Sequence, residues 1–177
     1  MKIVIINGSP RKKGRTGIAT RFISRTYGIE LIDLSGLNAV PLYNGDDEQD
    51  FLESVIHLRK IVKEADGIIL ASPEYHSGMS GLLKNALDFL GSEHLQHKPV
   101  ALIAVAGGGK GGINALNNMR TVMRGLYANS IPRQLVLDPK AFDYENDSIH
   151  EDTAHLVNTL LEELQLYIKS YLVLKEQ

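Results

Sequence analysis

Three stretches of this chain are apolar at consecutive positions rather than at alternate ones: KIVII (2–6), GIILAS (67–72) and PVALIAVA (99–106). A strand with one wet face alternates. A run apolar at every position predicts a strand covered on both faces, as in a parallel sheet between two layers of helices. Two further runs, IELIDL (29–34) and RQLVL (133–137), bring the expected strands to five. Helical patterns fall between and after them, at 15–27, 48–65, 79–91, 112–127 and 151–172. In the third, Met79, Leu82, Leu83, Ala86, Leu87 and Leu90 form one apolar face. The last repeats that spacing with Leu156, Leu160, Leu161, Leu164 and Ile168. Strand–helix alternation with short connections predicts an open, doubly wound α/β sheet. The stretch 138–150, DPKAFDYENDSIH, reads as a surface loop.

The 177 residues fit a single domain over 1–177. A net charge of −2 gives no reason to expect a nucleic-acid partner, so the basic cluster at 11–15 needs a local explanation. Without cysteine there are no disulfides, thiolate metal sites or cysteine nucleophiles. Met1 to Ile6 is too short for a signal peptide, and no run approaches the roughly 20 apolar residues of a membrane span. The expectation is a soluble, cytoplasmic protein with no membrane partner.

In such sheets a ligand sits beyond the carboxyl ends of the strands. The turns leaving the first, third and fourth runs, at 7–16, 72–79 and 106–112, are the three oddest stretches in composition. In the first, Ser9 and Thr16 offer hydroxyls, Arg11 and Arg15 add charge, and the following helix start adds free N–H groups. That donor set suits a phosphate dianion; Lys12 and Lys13 read as solvated. The Walker pattern is absent, and G-x-G-x-x-G does not follow the first strand, which favours a mononucleotide phosphate. In the second turn Pro73 turns the chain out of its strand. Tyr75 and His76 offer flat or polar edges, and Glu74 to Ser77 expose backbone groups toward a heterocycle. His94 and His97 read as solvent-facing. The third turn, AGGGKGG, carries almost no side chains, as a backbone passing close to a ligand would require.

GSPRKKGRT, PEYHSGMSGLLKNALDF and GGGKGG, in this order on five strands, resemble the NADPH-dependent FMN reductase family, in particular its azoreductase-type members. The middle motif is the most specific, present as Pro73, Glu74, Tyr75, Gly78, Leu83, Lys84, Asn85 and Asp88. The resemblance covers about residues 1–140, and PLYN (41–44) also fits it. It implies a flavodoxin-like sheet of order 2-1-3-4-5 with noncovalent FMN and with NADPH as substrate. Ser9, Arg11, Arg15 and Thr16 would hold the phosphate. Pro73, Glu74, Tyr75, His76, Ser77 and Gly78 would line the ribityl chain and ring. Ala106, Gly107, Gly108, Gly109 and Lys110 would border the pyrimidine side.

The chain departs from many relatives in having Gly14 where they carry serine. The resemblance further implies a ping-pong cycle that passes electrons from NADPH to small acceptors such as quinones, azo dyes, flavin or chromate. It also implies a homo-oligomer, dimer or tetramer, with parts of 42–50 or 84–94 against a partner chain. Lys84 and Asp88 read as an ion pair. The alternatives are a flavodoxin-like electron carrier and an FMN redox sensor without turnover; near-neutral charge and two loop arginines argue against the carrier.

Overall fold

A computed structural model describes residues 1–36, 39–108 and 111–175. Five parallel strands make the sheet: β1 (Ile3–Asn7), β2 (Glu30–Asp33), β3 (Gly67–Tyr75), β5 (Pro99–Val105) and β6 (Asn129–Leu137). They lie in the order β2-β1-β3-β5-β6, and the two-residue β4 (Gly78–Met79) pairs antiparallel with the end of β3. Counting the parallel strands alone, this is the expected 2-1-3-4-5. The helices are α1 (Arg15–Tyr27), α2 (Glu53–Glu64), α3 (Gly81–Asp88), α4 (Ser92–Leu95), α5 (Ile113–Gly125) and α6 (Glu151–Lys175).

Side chains of the inner strands alternate between two cores. Val4, Ile6, Ile68 and Leu70 pack under α2, α3 and α5. Ile5, Ile69, Ala101 and Ile103 pack under α1 and α6. Burial of each large aliphatic side chain contributes about 1.5–3 kcal/mol, which explains why these strands are apolar at every position. The edge strand β6 instead alternates between buried and exposed residues. It also begins earlier than expected, at Asn129 rather than 133, and carries a bulge: Val100 faces Ser130 while Leu102 faces Gln134. Pro132 fits an edge, where a missing N–H breaks no ladder. The Arg120 guanidinium closes the bulge, donating to the carbonyls of Ile131 at 2.7 Å and Pro132 at 3.0 Å and to Gln134 Oε1 at 2.6 Å.

Three further expectations are corrected. The pattern at 48–65 divides into a 3₁₀ turn (Asp47–Phe51) and α2, with extended Leu52 between them. The helix expected at 79–91 starts two residues later, because Met79 belongs to β4 and Ser80 is the N-cap, its Oγ accepting from Leu83 N–H at 3.0 Å. The stretch 138–150 is more ordered than a surface loop. It holds a hairpin of β7 (Phe142–Asp143) and β8 (Ser148–Ile149) with Phe142 and Ile149 buried. Asp147 fastens it to α1, accepting from Arg21 Nε and Arg25 Nη1, each at 2.9 Å. The Arg21 bonds lead in holding the Asp147 carboxyl down at about 2.

Candidate functional site

Because the strands run parallel, each crossover helix starts at the carboxyl edge of the sheet and ends at the amino edge. The N–H groups of first helical turns therefore gather where the three unusual turns lie. The first intrahelical bond of α1 runs from Ile18 N–H to Gly14 O, so the N–H groups of Arg15, Thr16 and Gly17 lie ahead of it. Among the described residues no side chain caps this end. Ser9 and Thr16 are each 2% exposed. The Ser9 oxygen accepts from Arg11 N–H at 3.2 Å, leaving its own proton to give. The Thr16 hydroxyl has no hydrogen-bond partner among the described residues. Residues 8–17 include no carboxylate. These free donors around a tight turn fit a phosphate.

The first and second turns are locked together. Gly8 N–H donates to Ala71 O at 2.8 Å, and the Ser80 hydroxyl donates to Gly8 O. Ser80 N–H in turn donates to Ser72 Oγ at 2.9 Å. A Cβ on Gly8 would lie 2.7 Å from Leu83 Cβ, so only glycine fits where the two turns cross. The Arg11 guanidinium lies 6.0 Å from the centre of the Tyr75 ring, bringing the charged turn against the aromatic one.

Pro73 does not turn the chain out. It stays in β3 opposite Val105, and the strand continues to Tyr75. β1 stops pairing at Ala71 and β4 pairs only Glu74 and Tyr75, so Pro73 has a ladder partner on the β5 side alone and a proline is tolerated. The reversal comes at His76 (φ 47°) and Ser77 (φ 64°), with Tyr75 and Gly78 paired across it. Two consecutive left-handed residues form the hairpin turn that usually calls for Asn-Gly. Held here by His and Ser, they are strained in the way functional rims often are.

The Glu74 side chain faces the third turn. Its carboxylate accepts from Ala115 N–H at 2.9 Å, capping α5 from another element. Asn118 Oδ1 accepts from Met79 N–H at 3.3 Å, so α5 also holds β4. Ala106 is buried, while Gly107 and Gly108 are exposed and a Cβ on either would meet nothing within 4 Å. Internal packing therefore does not demand those two glycines. Gly112 differs: at φ 99° its Cβ would lie 2.6 Å from a Val136 methyl. Gly109 and Lys110 lie outside the described residues.

Asn7, Asp33, Ser72 and Ser80 join this edge without having been singled out. Asn7 is 1% exposed; its Oδ1 accepts from Ser9 N–H at 3.1 Å and its Nδ2 donates to Asp33 at 3.2 Å. Their signal is a polar residue closing an apolar run, which also describes many solvated turns. Lys84 and Asp88 do pair, at 2.6 Å. His94 is buried, against expectation; its Nδ1 accepts from Gly91 N–H at 3.0 Å, and desolvation lowers its pKa.

The family model for NADPH-dependent FMN reductase matches residues 1–143. The chain is 49% identical over 177 residues to the NADPH azoreductase of Bacillus sp. (strain OY1-2), covering all of this chain and 98% of that one. It is 27% identical to a 2-hydroxy-1,4-benzoquinone reductase of Burkholderia sp., covering 96% of this chain and 97% of that one. Among solved structures, the flavoenzyme NAD(P)H:(acceptor) oxidoreductase FerB of Paracoccus denitrificans superposes with a TM-score of 0.78 at 22% identity, over 96% of this chain and 98% of that one, a likeness of fold. With its flavodoxin-like sheet and its free donors at the first turn, this chain belongs to the NADPH-dependent FMN reductase family and is an FMN-dependent NADPH oxidoreductase.

Proposed function

We propose that the chain takes reducing equivalents from NADPH and passes them to small acceptors by turns at one site. Quinones, azo compounds, free flavin and metal oxyanions such as chromate are the acceptors this reading covers. FMN supplies the two-electron chemistry when bound, while the protein binds, orients and shields. Ser9, Arg11, Arg15 and Thr16, with the first N–H groups of α1, hold the phosphate. Pro73 to Gly78 line the ribityl chain and ring. Ala106, Gly107 and Gly108, followed by Gly109 and Lys110, border the pyrimidine side. No side chain is assigned as a general base.

The observation that carries this reading is the unused Thr16 hydroxyl beside the uncapped start of α1, in a turn free of carboxylates. Double displacement accounts for the missing dinucleotide fingerprint, because the nicotinamide nucleotide visits and leaves. The names of the Bacillus and Burkholderia relatives support azo and quinone acceptors. The reading also takes residues 1–177 as one domain working in the cytoplasm as a dimer or tetramer. Leu42 (82% exposed) and Tyr43 (44% exposed) support 42–50 as part of the subunit contact. Among the described residues no helix is long and apolar enough to cross a membrane.

The double variant Arg11→Ala/Thr16→Ala tests the cradle. Each lost hydrogen bond to a charged group is worth about 1.5–3 kcal/mol, so FMN affinity should fall by at least about a hundredfold with the melting curve of the FMN-free protein unchanged. A variant that retains stoichiometric flavin refutes the assignment. Initial rates with NADPH and a quinone should give parallel double-reciprocal lines; intersecting lines refute the alternating cycle.

A further inference from the structure

A second cleft lies at the other edge of the sheet. It is a groove of about 980 Å³ where β5 and β6 begin and where α6 ends. A lobe of about 340 Å³ adjoins it, sharing His97, Tyr127 and Ala128. Ala115 and Arg124, near the two ends of α5, are nine residues apart, so about 14 Å of helix separates this cleft from the glycine turn.

The chemistry of the lining is selective. Tyr127, Tyr167 and Tyr171 present three aromatic rings to the groove. Lys175 Nζ lies 6.0 Å from the centre of the Tyr171 ring. The smaller lobe adds Arg120 and Arg124, and His97 lies where the two parts meet. No carboxylate lines either part among the described residues.

The fold consumes only part of this positive charge. The Arg120 guanidinium is committed to the β6 bulge. The side chain of Arg124, by contrast, has no ion pair or hydrogen bond among the described residues. The α5 carbonyls nearby are already met: Val122 O accepts from Leu126 N–H, Met123 O from Leu126 and Ala128 N–H, and Arg124 O from Tyr127 N–H. Ser130, in the same lobe, holds the buried hydroxyl that lacks a hydrogen-bond partner among the described residues. Buried hydroxyls are seldom left so. The rim residues His97 (φ 62°) and Tyr127 (φ 60°) both have left-handed backbones and are joined by a bond from His97 N–H to Tyr127 O at 2.8 Å.

We propose that this cleft is a second small-molecule site that binds a flat aromatic anion: an aryl sulfonate, carboxylate or phosphate ester. Its rings lie among Tyr127, Tyr167 and Tyr171, and its anionic group meets Arg124, His97 and the Ser130 hydroxyl. The groove volume is within the roughly 300–1,000 Å³ of small-molecule sites. Stacking on tyrosine and charge on arginine divide the recognition between the two lobes. The site is separate from the flavin cradle, and its occupancy does not depend on turnover.

Titration calorimetry of the FMN-loaded protein with naphthalene-2-sulfonate tests this. The expected result is one saturable event per chain, weakened at least tenfold in Arg124→Gln and in Tyr171→Ala. The uncharged 2-naphthylmethanol should bind at least tenfold more weakly than the sulfonate. Arg124 is exposed, so its variant keeps the fold and decides the question even where Tyr171→Ala does not fold. Absence of binding at millimolar sulfonate overturns the proposal. Binding that Arg124→Gln leaves unchanged also overturns it, by placing the probe elsewhere. Equal affinity for the uncharged probe overturns the anionic half of the recognition and with it the proposed class.

Discussion

At the carboxyl edge of the sheet, Glu74 accepts at 2.9 Å from an N–H in the first turn of α5; at the amino edge, Lys98 donates at 2.6 Å to the carbonyl of Val62 in the last turn of α2. The two contacts are mirror images. A parallel sheet sorts helix starts to one edge and helix ends to the other, so one edge has surplus N–H groups and the other surplus carbonyls. The fold spends an anion at the first and cations at the second. Lys98 also donates to Lys63 O at 3.1 Å, and Arg120 serves the bulge carbonyls. What differs is completeness. The start of α5 is capped by Glu74, while the start of α1 has no side-chain cap. What marks the start of α1 is that it lies in a turn free of carboxylates, beside the buried hydroxyls of Ser9 and Thr16, where an anion from outside is wanted.

The cation at the amino edge is held at a cost that pH exposes, because its carbonyl partners offset its desolvation only in part. Burial leads in lowering the Lys98 pKa from 10.5 to about 8. Above about 8 the folded ammonium loses its proton while the unfolded chain keeps it, so the unfolded state binds more protons and stability rises with pH. Urea unfolding should show a gain of about 3 kcal/mol as pH climbs toward 10.5, relative to a flat Lys98→Met variant. Equal slopes in the two proteins would remove the cation from the argument. Glu74→Lys, which places a cation where α5 wants an anion, should cost about 2 kcal/mol; a melting point equal to wild type breaks the mirror image. Arg120→Lys keeps the charge but loses the planar fork, at about 1 kcal/mol. Finally, Glu74→Gln retains an acceptor for Ala115 and should cost only about 0.5 kcal/mol in the same melts. A larger loss would show that charge rather than the hydrogen bond does the capping.

Consecutive apolar residues identified β1, β3 and β5 because burial on both faces leaves no alternation to confuse. α1 was legible to the residue, since a basic turn ends at Gly14 and Gly28 stops the helix with a left-handed backbone (φ 65°). The hairpin at His76 and Ser77 was not legible, because left-handed pairs are normally announced by glycine or asparagine and here tertiary contacts enforce them. Nor was the start of β6, where Pro132 and the bulge break the pattern. The three turns of the site stood out by composition. Their fastening did not: the Gly8–Ser80–Ser72 joint and the reach of Glu74 to Ala115 depend on residues 72 and 41 positions apart, respectively, a separation that no local pattern encodes.

Clamped by Glu74 at its first turn and by its own Arg120 against β6 near its last, α5 is a beam fixed at both ends. A beam so held cannot swing as a lid. Any widening of the site's mouth therefore falls to the strained reversal at His76 and Ser77.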